Sequence, residues 1–309
     1  MSTAALNPTV ATTNRDNLIG SIWMVAAMGL FAIEDASIKV ASTHAPIGQV
    51  LMLFGLGGAV LFALVAAKRG DRLMGPALQS SSMRYRMLFE FAGRLFYSMA
   101  VVLTPLSATT VILQATPLVV VACAAMLFRE RVGIRRWSAV FVGLAGVIVV
   151  VGPGRDSFSV LSLLAVLGML GFAGRDLASR AAPPTVTTAV LGLYGFISVL
   201  MAGCLLAIWK GEPFSSPEFL LLLPLVVAVC VGVAAYACLM KAMRTGDVSA
   251  VTPFRYSRLL FGIGLGIFWF QESPSTPMVA GSALIVVSGL IILGGRRDIE
   301  SSKPSTISQ

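Results

Sequence analysis

Histidine is almost missing from this chain: His44 is the only one in 309 residues. With one histidine, no metal-ligand cluster and no serine–histidine–acid arrangement, there is nothing from which a catalytic constellation is assembled. Charge is also scarce, at 12% of residues against roughly a quarter in soluble domains. The cysteines Cys123, Cys204, Cys230 and Cys238 lie inside apolar runs without ligand spacing. That argues against a zinc site and a disulfide framework and leaves them as small packing residues. No glycine set is followed by GK[ST], so no phosphate loop is expected, and with it no direct use of ATP. Residues 1–17 are polar, carry Arg15 as their only base and form no cleavable signal, so the first helix is expected to stay as an anchor.

What fills the chain is apolar. Hydrophobic residues make up 57% of it and the mean hydropathy is +0.87, which assigns it to lipid. A helix needs about 20 apolar residues to cross hydrocarbon. Turn and charge punctuation divides the chain into ten such candidates: 18–40, 47–67, 85–103, 106–128, 136–152, 158–180, 185–209, 217–240, 248–270 and 276–294. The predicted fold is an all-α integral membrane protein with a polar tail at 1–17, five helices over 18–152, five more over 158–295, and a second polar tail at 296–309. Net charge of +9 does not point to nucleic acid, because the bases sit in short loops. Sixteen of them fall on the side of both termini and three on the other, which predicts cytoplasmic termini in a plasma membrane, the inner membrane of a bacterium.

The two halves are copies. Ser107, Ala108, Thr110, Phe128 and Glu130 recur as Ser249, Ala250, Thr252, Phe270 and Glu272 at a spacing of about 142 residues. Met28, Phe31, Ala32, Asp35 and Ala41 likewise meet Met169, Phe172, Ala173, Asp176 and Ala182. Five helices per copy is an odd number, so the second copy must be inverted. The loops agree: Arg129–Arg136 carries four arginines and its equivalent, Gln271–Pro277, none. Inverted repeats around a midplane site are a common architecture of secondary transporters.

The run Phe31-Ala-Ile-Glu-Asp-Ala-Ser-Ile-Lys39, the segment Thr104-Pro-Leu-Ser-Ala-Thr with Pro117, the Phe-Arg-Glu130 helix end and the Gly143/Gly146 helix, with their second copies at Gly246–Pro253, Gln271-Glu272 and Gly289, resemble the drug/metabolite transporter superfamily in its ten-helix, two-EamA-domain form. The resemblance covers about residues 18–295. It implies carriage of small metabolites; members move amino acids, purine bases, riboflavin, S-adenosylmethionine and cationic drugs. Bacterial aromatic-amino-acid exporters are similar in general look. The acidic Glu34-Asp35 pair departs from the small polar residues of many relatives.

Ionisable groups at membrane depth are functional candidates by default. The acids are Glu34, Asp35, Glu90 and Asp176; the bases are Lys39, Arg94, Arg175, Arg255 and Arg258. Asp35–Lys39, Asp176–Arg180 and Glu90–Arg94 are spaced i,i+4 with the acid first, as local ion pairs are. Glu34 and Arg175 are repeat equivalents of opposite charge, so they either face one another as a clasp or zwitterion site, or pair separately. Helices four and nine, with Pro117 and Pro253, are expected to line the cavity, with Gln114 and Tyr256 toward substrate. Arg255 and Arg258 meet either a neighbouring carboxylate or that of a substrate. Tyr97 and Tyr236 are candidate wall residues, whereas Trp269 belongs to the interface. Glu130 and Glu272 are expected to cap the helices that follow them, and the glycine sets Gly143/Gly146, Gly168/Gly171 and Gly262/Gly264/Gly266 to permit close helix approach.

The expected function is secondary transport of small amphipathic metabolites by alternating access, export of amino acids first. Uptake of a cofactor such as S-adenosylmethionine or riboflavin is the alternative, and a channel or scaffold a further one. The expected substrate-binding set is Glu34, Tyr97, Gln114, Arg175, Tyr236, Arg255, Tyr256 and Arg258; Glu34, Asp35, Glu90 and Asp176 are the candidate proton carriers. No cofactor or metal is expected, the partners are substrate and lipid, and the expected working form is a monomer.

Overall fold

The computed structural model describes residues 14–73, 80–127, 134–151, 160–180, 186–216, 218–245 and 252–301. Among them are eleven α-helices and no strand: α1 (Asn14–Ala41), α2 (Ile47–Arg69), α3 (Ser81–Leu103), α4 (Leu106–Leu113), α5 (Thr116–Leu127), α6 (Ile134–Val151), α7 (Ser162–Arg180), α8 (Thr188–Lys210), α9 (Phe219–Thr245), α10 (Ser257–Phe268) and α11 (Thr276–Ser301). A 3-10 helix, Thr252–Tyr256, leads into α10. Because α4 with α5 makes one span and the 3-10 helix with α10 another, the chain crosses ten times, as the apolar runs predict. Four helices, α1, α2, α8 and α9, are by themselves long and apolar enough to cross a bilayer. The last helix runs to Ser301, several residues into the segment read as a polar tail.

Helix ends follow local chemistry. Ser80 and Thr187 cap α3 and α8, their hydroxyls accepting from the amides of Met83 and Val190. Gly70 and Gly211 stop α2 and α8 at φ of 68° and 61°, a backbone state that suits glycine. Span four, read from the sequence as continuous, breaks at Gln114–Ala115. Pro117 has no N–H for the carbonyl of Leu113, and the Thr116 hydroxyl donates to that carbonyl instead, at 2.5 Å. Span nine changes from 3-10 to α after Tyr256, the repeat equivalent of Gln114. The duplicated backbone therefore breaks at matching places.

Packing keeps the symmetry of the duplication. The most extensive helix pairs are α1 on α9, α2 on α8, α3 on α7 and α6 on α11, and α4 also packs on α10. Exchanging the two copies turns this set of pairs into itself, the mark of a pseudo-two-fold axis between inverted repeats. Small residues allow the approach. Gly171 faces Gly93 where α7 crosses α3, and Gly55 and Gly203 bring α2 and α8 together. Of the glycines expected to serve this purpose, Gly264 has open space beside it instead. Apolar side chains turn outward, Ile208 at 80% exposure and Phe268 at 85%, as a lipid-facing surface requires.

Candidate functional site

Polar chemistry is confined to the seam between the copies. On α3, Arg86, Glu90, Arg94 and Tyr97 recur at three- and four-residue steps, so they form one stripe. That stripe faces Glu34 and Asp35 of α1, Arg175 and Asp176 of α7, and the two arginines of span nine. Glycines set the spacing: a Cβ on Gly168 would lie 2.8 Å from the backbone nitrogen of Tyr97, so only glycine admits this crossing of α3 and α7.

The side chains link into a continuous chain of charge. Arg94 donates to Glu34 at 2.9 Å and lies 3.7 Å from Glu90. Glu90 also receives Arg86 at 3.8 Å and Arg175 at 3.4 Å. Arg175 turns back onto Asp176 at 2.8 Å, and Asp176 lies 3.7 Å from Arg255. A second branch starts at Asp35, which accepts from the Tyr97 hydroxyl at 2.8 Å and from Arg258 at 2.5 Å. Two repeat-equivalent phenylalanines support the cations: Phe31 lies under Arg258, and Phe172 is flanked by Arg94 and Arg175.

Exposure changes along this chain. Glu34, Asp35, Tyr97 and Glu90 are 1–3% exposed, so this part of the interior is filled by their own partners rather than by a wide cavity. The side chains of Arg175, Asp176 and Arg255 are 18–25% exposed. A guanidinium at this depth tolerates exposure to water and not to hydrocarbon, so these three side chains mark the more open end of the seam. A separate cavity of about 300 Å³, lined by Leu95, Phe96, Met99, Leu164, Leu205 and Trp209, is wholly apolar and lies away from the charges.

The opposite face is closed by Glu272, in the connection after α10. Its carboxylate accepts from the amides of Leu106 and Ser107 at 2.7 and 3.1 Å, from the Ser107 hydroxyl at 2.6 Å, and pairs with Lys39 at 3.2 Å. Burial pushes this carboxyl up, but the Ser107 and Leu106 hydrogen bonds and Lys39 outweigh it and hold the group below the ordinary carboxylate range. Lys39 also donates to the carbonyl of Thr104. The residue before Glu272, Gln271, stands at φ 56°, a strained state for a side chain other than glycine.

Several pairings differ from those expected. Glu272 caps α4, in the other copy, rather than the helix after it; Glu130 lies outside the described residues. Asp35 is held by Tyr97 and Arg258 because Lys39, one turn further, is drawn to Glu272. Glu34 and Arg175 do not meet; Arg94 and Glu90 stand between them. Glu90–Arg94 does form, and Asp176 is bound by Arg175 and Arg255, while the Arg180 side chain is not among those described. Gln114 donates to the carbonyl of Arg255 at 2.7 Å, tying the two broken spans together, and Tyr256 packs half-buried in the cluster around Val111 and Leu118. Tyr236 contacts Arg86 through its hydroxyl at 3.4 Å and stacks edge-on against Phe62. Trp269 is exposed at the end of α10. Arg86, inside the expected span 85–103 but counted among the sixteen bases on the side of the termini, is buried; its place one turn before Glu90 was the available signal. Among the described residues no group of three metal-binding side chains comes together.

The pattern of the EamA-like transporter family matches twice, at residues 18–152 and 159–294. The chain belongs to that family. This EamA-like transporter is a multi-pass membrane protein, a secondary transporter of small metabolites. It is 25% identical over 289 residues to an S-adenosylmethionine uptake transporter of Rickettsia prowazekii, covering 93% of this chain and 96% of that one. It is 24% identical to a riboflavin transporter of Brucella anthropi, covering 91% and 99%. A pseudopaline exporter of Pseudomonas aeruginosa is 24% identical, covering 87% and 94%. These matches do not speak specifically for the aromatic-amino-acid exporters that the sequence resembles. A crystal structure at 22% identity superposes with a TM-score of 0.62, covering 90% of this chain and 97% of that one, and shows the same fold.

Proposed function

We propose that this EamA-like transporter exports small amphipathic metabolites, amino acids with aromatic ones included, by alternating access of the halves 18–152 and 158–295. The observation that carries the reading is the run of ion pairs along the seam from Glu34 through Arg94, Glu90 and Arg175 to Asp176, exposed at Arg175, Asp176 and Arg255, with a separate Lys39–Glu272 pair on the opposite face. In this reading Glu34, Tyr97, Gln114, Arg175, Tyr236, Arg255, Tyr256 and Arg258 hold or position the substrate. Glu34, Asp35, Glu90 and Asp176 are the groups through which a proton would couple. The termini lie in the cytoplasm of the inner membrane, on the loop-charge count of sixteen against three.

The test is counterflow of labelled phenylalanine in proteoliposomes of the whole chain, competed by a panel of metabolites. Saturable counterflow that unlabelled amino acids suppress is expected. Flux that never saturates marks a channel, and suppression by S-adenosylmethionine or riboflavin alone would move the chain to the second reading, cofactor uptake; one relative is named an S-adenosylmethionine uptake transporter and another a riboflavin transporter. Flux that does not change with pH would mean plain facilitation.

A further inference from the structure

The apolar cavity of about 300 Å³ is walled by both copies. Leu95, Phe96 and Met99 of α3 come from the first, and Leu164 of α7 with Leu205 and Trp209 of α8 from the second. Helix α3 packs on both α7 and α8, so the cavity is the wedge left where one helix of one copy lies against two of the other. Leu206 is buried at its floor, while Leu205 and Trp209 turn outward to lipid. Among the described residues no polar atom lines it. Neither water nor a charged metabolite gains a partner there, and an unfilled void costs stability in proportion to its volume. An acyl chain, as apolar as the walls, fills it without loss.

Duplication alone does not impose this wedge. Gly70 and Gly211 stop α2 and α8 as repeat equivalents, which puts Lys68 in the place of Trp209. The spacings of the copies likewise put Trp23 in the place of Leu164 and Lys241 in that of Met99. There, on the face that bears the termini, Lys241 lies over the Trp23 ring at 4.0 Å, so the protein's own side chains take up the room that Leu164 and Met99 leave open.

The mouth of the wedge lies at a helix end. Trp209 and Lys210 finish α8 on the face that Glu272 closes, and tryptophan and lysine in such a place mark the level of the lipid headgroups. Lys210 and Glu212 are both exposed, with their charges 3.6 Å apart, beyond hydrogen-bonding distance, so each keeps room for a partner of opposite sign. An acid and a base side by side match a headgroup that carries both a phosphate and an ammonium. A purely anionic headgroup would meet Lys210 but be repelled by Glu212.

We infer that the wedge between α3, α7 and α8 is the seat of one phospholipid with a zwitterionic headgroup, a chain lying between Met99 and Leu164, the phosphate at Lys210 and the ammonium at Glu212. A lipid held there bridges the two copies at the closed face, which sets it apart from the lipids that merely surround the protein. The inference goes beyond the transport reading and does not depend on which metabolite is carried.

The experiment titrates the whole purified protein, stripped of lipid in detergent, with dioleoylphosphatidylethanolamine and with dioleoylphosphatidylglycerol, which has the same chains and an anionic headgroup. Unfolding temperature and native mass spectrometry are the readouts. Phosphatidylethanolamine should raise the unfolding temperature saturably and be retained at one per protein, half-saturating at a concentration lower than phosphatidylglycerol by about fivefold. Glu212→Gln should erase that difference. Leu164→Trp, which fills the wedge from within, should lose both retention and stabilisation while its lipid-free unfolding temperature stays at or above that of the wild type. If this variant does not fold, Met99→Phe, a smaller filling of the same space, should weaken retention and stabilisation together. No saturable stabilisation or retained lipid in the wild type, an undiminished response in the folded filled variants, or phosphatidylglycerol binding as tightly as phosphatidylethanolamine each overturns the inference. A wild-type dimer that Leu164→Trp dissociates also overturns it, because a second copy would then occupy the wedge. Neither readout involves counterflow, so the transport reading stands or falls separately.

Discussion

Substituting alanine for Gly55 separates two effects of glycine in a membrane helix. In the middle of α2, Gly→Ala removes a helix-propensity penalty of about 1 kcal/mol. At Gly55, however, the new Cβ would lie 2.7 Å from the Cα of Leu200 on α8 and closer still to its backbone nitrogen, where ordinary contact begins near 3.4 Å. A backbone atom cannot rotate aside, so α2 and α8 must part by roughly 0.7–1 Å. A gap of that size forfeits about a quarter to a half of the dispersion energy of each contact along the crossing. Dispersion is the main force between helices in lipid, so the overpacking cost should be about 1–3 kcal/mol. Gly264, in the middle of α10, is the control, since nothing lies within 4 Å of a Cβ there. Gly264→Ala should raise the unfolding temperature, and Gly55→Ala should fall below it by about 1–3 kcal/mol, several degrees at roughly 2 °C per kcal/mol. Tryptophan fluorescence of both variants during heating in one detergent reads the difference. An unfolding temperature for Gly55→Ala equal to or above that of Gly264→Ala would refute the claim that backbone contact sets this crossing.

Two further outcomes follow from the polar seam. Tyr97→Phe removes the hydroxyl that donates to Asp35 but leaves Asp35 with Arg258, so it should cost about 1–2 kcal/mol. Asp35→Asn strips Arg258 of its carboxylate and should cost about 3–5 kcal/mol, so the order of their unfolding temperatures is fixed, and the opposite order would contradict the pairing. Glu272→Gln should cost about 1–2 kcal/mol at neutral pH by weakening the cap on α4 and the contact with Lys39. Because the folded-state pKa of Glu272 lies below its ordinary value of 4.5, the stabilisation is complete above that value and is lost as pH falls through the lower, folded one. Melting of wild type and variant across the acid range should show the gap closing, and a gap that stays constant with pH would rule out the charge as its source.

The spans and the duplication were legible in the sequence because lipid leaves the chain little choice: a crossing needs a long apolar run, and the run survives duplication. The ionisable groups that meet in the seam were equally easy to list, since so few occur at depth. Their partners were not. Local spacing suggested Asp35–Lys39, but Lys39 also comes within reach of Glu272 and the carbonyl of Thr104, groups distant in sequence. Arg86 sits at the edge of the apolar run and was counted with the bases on the side of the termini, but α3 begins a turn earlier, at Ser81, and the arginine is buried against Glu90 and Tyr236. Pro117 announced a disturbance in span four, yet where the helix breaks depends on the Thr116 hydroxyl and on Gln114 finding a carbonyl in span nine.

Duplication makes the backbone symmetric, and the chemistry then departs from that symmetry at a few positions. Where span nine has Arg255 and Arg258, span four has Leu113 and Thr116, so one copy spends the position on healing a helix break and the other on binding Asp176 and Asp35. Asp35 and Asp176 are themselves repeat equivalents, and each has an arginine of span nine beside it, Arg258 bound to Asp35 and Arg255 at 3.7 Å from Asp176, which Arg175 of its own helix holds more closely. A fully symmetric seam would offer a bound molecule two equal orientations. Placing both of these arginines on one span removes one of them, and it puts them on the span whose end carries Glu272 and its clasp on α4. Movement of span nine, needed to release that clasp, must therefore also move Arg255 and Arg258 against their carboxylates. The charge of the site and the closure of the far face are thus tied to a single element.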